Sequence, residues 1–139
     1  MSEIITNKLT GKTAAGDVTI TSEGGSATMQ LQQGVAKQWH QYDQNNTTVD
    51  GSLNVSSATD IATGRYTPNH TNNMSNTTDI AVTGITNHDN GDSYPRYMSI
   101  AHDNSDTFAT SGVSLKTMYA TYNLADQKHN FGAIHGDLA

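Results

Sequence analysis

From Gly112 to Tyr122 the chain alternates with a period of two: Val113, Leu115, Thr117, Tyr119 and Thr121 share one side, and Ser114, Lys116, Met118, Ala120 and Tyr122 the other. Only an extended strand sorts neighbours in this way, and the division into a mostly apolar and a mostly polar side belongs to an antiparallel sheet covered on one face. Leu115, Met118 and Tyr119 also sit at helical spacing, but the Val and Thr content favours the strand. Ile80 and Val82 alternate with Ala81 and Thr83 in the same manner. The pattern predicts strands over Lys37 to Tyr42, Ser52 to Ser57, Gly64 to His70, Asp79 to Asn87, Tyr94 to His102, Gly112 to Tyr122 and His129 to His135, and no helix. Asp50-Gly51 and Asn90-Gly91 read as turn dipeptides, because Gly tolerates positive φ and Asn or Asp approaches the left-handed region. Seven short strands separated by polar turns make an all-β fold, an antiparallel β-sandwich or jelly-roll-like domain.

The 139 residues suffice for one such domain with an appended arm. Residues 1–33 read as that arm, an extended N-terminal β segment. Ile5, Leu9, Val18, Ile20, Met29 and Leu31 are spaced between Gly11, Gly16, Gly24 and Gly25, which cut it into strands too short to bury a core. Such strands gain stability by pairing with neighbouring chains, so the arm is expected to anchor or intertwine the subunit, and the sandwich domain to span residues 34–139. Ser, Thr and Asn together make up roughly a third of the chain, and Leu, Ile, Val and Phe fall below the roughly one-fifth at which a lone chain stays folded. Ordered β patterning over so thin a core points to oligomerisation, which buries further apolar surface between subunits.

A formal charge of −6, with the 7 basic residues scattered singly, argues against a nucleic-acid surface. No 18-residue apolar run or basic amphipathic helix supports a membrane role. The stretch from Met1 to Leu9 lacks the charged and apolar regions of a secretory leader, and the chain has no cysteine. Nucleophile elbows, phosphate-binding glycine loops and HExxH helices are missing, and the two Glu residues, Glu3 and Glu23, both lie in the arm. The chain is therefore expected not to be an enzyme, and no catalytic, cofactor-binding or metal-binding residue is assigned.

Two near-duplicates, His88-Asp89-Asn90-Gly91-Asp92 and His102-Asp103-Asn104-Ser105-Asp106, concentrate oxygen and imidazole groups. Neither supplies the bidentate Glu of a calcium hand, and one extended strand between them would hold them about 20 Å apart. They read as Asx-rich loop tips, the alternative being an ion on a three-fold axis. Tyr94, Arg96 and Tyr97, in a polar region, are the candidates for exposed contact with a receptor or partner, together with His88, Asp89, His102 and Asp103.

Residues Gly34 to Gly84 carry a family resemblance. An aromatic strand follows a Lys (Lys37, Trp39, Tyr42), then come an LNVSS strand (Leu53 to Ser57), a Thr-Gly turn (Thr63, Gly64) and a Tyr-Thr strand (Tyr66, Thr67). This segment resembles one found in virion structural proteins of tailed bacteriophages, notably those of marine hosts, and the opening ITNKLTGKTAAGDVTITSEGG looks like the beginnings of such proteins. His40, His70 and Pro68 depart from the pattern, and Pro68, which cannot donate to a ladder, predicts an edge strand or a bulge. The resemblance implies a structural core of Trp39, Tyr42, Leu53, Val55 and Tyr66, to which the alternation described above adds Ile80 and Val82. It also implies a homotrimeric, tail-fibre-like appendage that assembles in the host cytoplasm, anchors to other virion proteins by its arm and displays the sandwich for host attachment, with a host surface glycan as candidate receptor. A capsid decoration protein stabilising the phage head is the alternative, and a glycan-binding module the lesser one.

Overall fold

The computed structural model describes residues 5–12, 18–21, 25, 27–87, 95–101 and 107–139. Residue contacts divide the chain into two units, Met1–Val35 and Ala36–Ala139, so the second begins two residues after the Gly34 boundary expected from the sequence.

In the first unit, β1 (Thr19–Thr21) and β2 (Thr28–Gln30) pair antiparallel with Ile20 opposite Met29. One helical turn, α1 (Leu31–Gly34), follows, and its Leu31 N–H donates to Val18 O at 2.7 Å. The turn was not expected, and at four residues it is too short to leave a helical period in the sequence. Ile20 and Met29 are exposed, as are Ile5 and Leu9, so the described part of this unit has apolar side chains without a core.

The second unit is all-β. Its strands are β3 (Gln38–Asp43), β4 (Thr48–Leu53), β5 (Val55–Ala62), β6 (Arg65–His70), β7 (Ala81–Asn87), β8 (Arg96–Ile100), β9 (Phe108–Ala109), β10 (Gly112–Val113), β11 (Leu115–Tyr119) and β12 (His129–His135). One sheet has the order β4-β3-β12-β7. The other has the order β8-β11-β6-β10-β9, with β5 on the remaining side of β6, and every pairing is antiparallel. Tyr42 from the first sheet packs on Tyr66 and Leu115 from the second, and Ile134 joins Val113 and Met74, so the core lies between the sheets of a sandwich.

The chain passes from one sheet to the other at Asn54, the single residue between β4 and β5. It adopts a left-handed φ of 56°, which Asn tolerates better than other side chains. Its Oδ1 accepts the Asn72 N–H at 2.6 Å and its Nδ2 donates to Asn72 O at 2.9 Å. The strand expected over Ser52 to Ser57 is therefore broken at its middle, because that stretch turns the corner of the sandwich.

Three further expectations need correction. Asp50-Gly51 lies inside β4 and not in a turn: Gln41 faces Gly51 and Tyr42 faces Val49, so Asp50 is the extra residue of a β-bulge. The turn falls at Gln44–Thr47 and is held by Asp43, whose carboxylate accepts from the backbone of Asn45 and Asn46 and from the Asn46 amide. Of the two readings of Pro68 the edge strand fails, since β6 has neighbours on both sides, and the bulges of its ladder lie on the partner β5, at Ser56 and Ile61. Opposite Pro68 the neighbouring ladder is interrupted, passing from Gly112↔Asn69 to Leu115↔Tyr66, and Ser114 turns aside to meet Thr67 Oγ1 at 2.6 Å and to receive the Thr107 N–H on its own Oγ at 2.6 Å. The strand expected over Gly112 to Tyr122 is thus cut at Ser114. It ends at Tyr119, because Tyr122 takes a positive φ of 64° in a turn where its N–H donates to Tyr119 O. Asn90-Gly91 lies outside the described residues.

Candidate functional site

Strand alternation places Gln38, His40 and Tyr42 of β3 on the inner face of the first sheet, with Asn130, Gly132 and Ile134 of β12 beside them. Much of that interior is polar: Gln38, His40, Gln44, Thr67, Ser114, Thr117, Gln127 and Asn130 are all buried. Buried polar groups persist only when hydrogen-bonded, and two chains of bonds meet most of this need.

Around His40, the Gln38 amide nitrogen lies 2.8 Å from Nδ1 and the Tyr66 hydroxyl 2.9 Å from Nε2. An amide nitrogen only donates, so Nδ1 accepts and the ring carries its proton on Nε2, which donates to Tyr66. Burial, followed by the nearby His70, lowers the His40 pKa to about 4, and the Tyr66 hydroxyl is raised by burial and then by Tyr42. Gly132 and Gly84 leave room for this arrangement: a Cβ at Gly132 would collide with the His40 ring, and one at Gly84 with the Met98 sulfur.

Around Asn130, Nδ2 donates to Tyr42 O at 3.0 Å and Gln127 O at 2.8 Å, and Oδ1 accepts from Thr86 Oγ1 at 2.6 Å. Gln44 Oε1 accepts from Thr117 Oγ1 at 2.8 Å, which ties the two sheets together. These side chains tether strands, and among the described residues no group of three or more metal-ligating side chains is gathered.

Four large apolar side chains of this sheet stand on its outer face. Trp39 is 44% exposed, Leu53 48%, Ile85 70% and Phe131 40%. They form two directly opposed pairs, Trp39↔Leu53 across β3 and β4 and Phe131↔Ile85 across β12 and β7. Between Trp39, Ile85 and Phe131 lies a shallow hollow of about 420 Å³, floored by His40, Gly84, Gly132 and Ala133, with Thr83 at its side. The Trp39 ring leans over Gly51, where a Cβ would lie 3.4 Å from it.

Tyr42 and Tyr66 of the expected core are fully buried, with ring centroids 4.7 Å apart. Ile80 and Val82 are half-buried against the core, and Val55 is half-buried. Trp39 and Leu53 are corrections: Trp39 is one residue out of phase with His40 and Tyr42, so burying the polar His40 turns the indole outward, and Leu53 follows it as its cross-strand partner. Of the expected contact residues, Tyr97 is 50% exposed on β8, and Arg96 lays its guanidinium 3.8 Å from the centre of the Tyr119 ring. Tyr94, His88, Asp89, His102 and Asp103 lie outside the described residues. Sequence reasoning missed Phe131 and Ile85, although alternation from Ile134 sets Phe131 on the opposite face. No protein-family model, curated protein or solved structure matches the chain.

Proposed function

We propose that this chain is a structural subunit of a tailed-bacteriophage particle, acting as part of a trimeric tail-fibre-like appendage. Its N-terminal arm anchors it to other virion proteins, and its sandwich is displayed outward for host attachment. The observation that carries this reading is the distribution of side chains: polar residues fill much of the interior while many large apolar ones stand outside, on the arm (Ile5, Leu9, Ile20, Met29) and on the outer face of the β4-β3-β12-β7 sheet. Apolar surface arranged in this way is suited to assembly. The sequence resemblance across Gly34 to Gly84 supplies the class of assembly, and Tyr97 on β8 is an exposed aromatic available to a host glycan.

Gold labelling of intact particles tests the placement, with label expected on the tail; label on the head would replace host attachment by capsid decoration, and unlabelled particles would refute the virion role. Deleting residues 1–33 is expected to leave the sandwich folded and to abolish incorporation. Incorporation of the truncated protein at the normal level would show that the arm is not the anchor.

A further inference from the structure

We infer that the outer face of the β4-β3-β12-β7 sheet is the surface through which copies of this chain associate. The inference deepens the assembly reading above by naming the contact, and it does not depend on where in a particle the assembly stands.

Size is the first argument. With about 150–250 Å² for a fully exposed large side chain, the exposed fractions of Trp39, Leu53, Ile85 and Phe131 amount to about 400 Å² of apolar surface. A standard interface takes about 800 Å² from each partner, of which somewhat more than half is apolar, so the face supplies most of the apolar share of one such contact.

Charge is the second. Residues 36–139 contain five Lys or Arg and ten Asp, a net −5, and copies with that balance repel each other wherever their carboxylates meet. Trp39, Gln41, Leu53, Thr83, Ile85 and Phe131 form a strip without a charged side chain, where two copies approach without repulsion. A basic partner would find no carboxylate in that strip to recognise.

Shape and polarity decide between a protein copy and a sugar. The hollow has one hydroxyl at its side, from Thr83, while the His40 ring points into the sandwich and bonds Tyr66. Sugar sites need several converging polar groups, whereas Ile85 standing beside an apolar hollow gives knob and socket on one surface, the self-complementarity that association of identical chains requires.

Sedimentation equilibrium on the full chain at micromolar concentration tests this, with near-UV circular dichroism as the check on folding. The wild type is expected to associate, and Ile85→Asp to weaken association by at least about thirtyfold. Tyr122→Asp, a comparable change in the turn after β11 of the other sheet, should leave association unchanged. Thr83→Lys, which plants a charge beside the hollow and removes no apolar side chain, gives the same reading if Ile85→Asp does not fold. A monomeric wild type overturns the inference, as does undiminished association of a folded Ile85→Asp or Thr83→Lys protein. Failure here is distinct from failure of the virion reading, which the labelling of particles reports.

Discussion

His40 is held neutral between two fixed partners, and its protonation would set a second N–H against the Gln38 amide nitrogen. The unfolded chain takes up that proton near pH 6.5 and the folded chain only near 4. Between these values the unfolded state binds more protons, so stability is full above about pH 6.5, falls as pH drops through the window and levels off below about 4. The gap corresponds to about 3 kcal/mol. Urea unfolding at pH 7 and pH 4.5 should show the loss, and His40→Gln should shrink it. An equal loss in both proteins would place the titrating group elsewhere, among the carboxylates for instance. The same ring sets a limit on its neighbour Gly132, where even a methyl group has no room.

At the level of elements, β12 is the hinge pin of its sheet, paired on both sides and tied to β3 and to residue 127 through the Asn130 amide. Asn130→Ala removes three hydrogen bonds at once, those to Tyr42 O, Gln127 O and Thr86 Oγ1, and leaves Gln127 O only the Gln44 N–H at 3.0 Å. It is expected to cost about 2–4 kcal/mol in equilibrium unfolding, and a loss under about 1 kcal/mol would show that the network contributes little. The bounds of β12 were legible: His129–His135 is bounded as expected, with Gly136 to end it. Elsewhere local patterns misled where tertiary demands prevailed. Asp50-Gly51 carries turn chemistry but serves a bulge, and the alternation from Gly112 to Tyr122 hides the break that Pro68 imposes from the neighbouring strand. The outer face was not legible, because the family resemblance sets Trp39 in the core. It lies outside because His40 and Tyr42, in opposite phase, make the inward bonds and contacts.

For the whole molecule, an interior in which Gln, Asn, Ser, Thr and His side chains replace aliphatic ones changes the thermal response of folding. Exposing apolar surface raises the heat capacity of unfolding and exposing polar surface lowers it, with a net of about 12–15 cal/mol/K per residue in ordinary domains. The 104 residues from Ala36 to Ala139 would give about 1.2–1.6 kcal/mol/K by that rule. The polar side chains released from between these sheets should bring the value below about 1.2 kcal/mol/K, and calorimetry on the Ile85→Asp protein, whose outer face is expected to be uncovered, measures it. A value within the ordinary range would mean that the polar groups are offset by apolar burial. A small heat capacity flattens the curve of stability against temperature, so cooling weakens the fold little and cold denaturation recedes to lower temperature. The hydrogen bonds that let so few aliphatic residues form a core therefore also set the range of temperature over which that core persists.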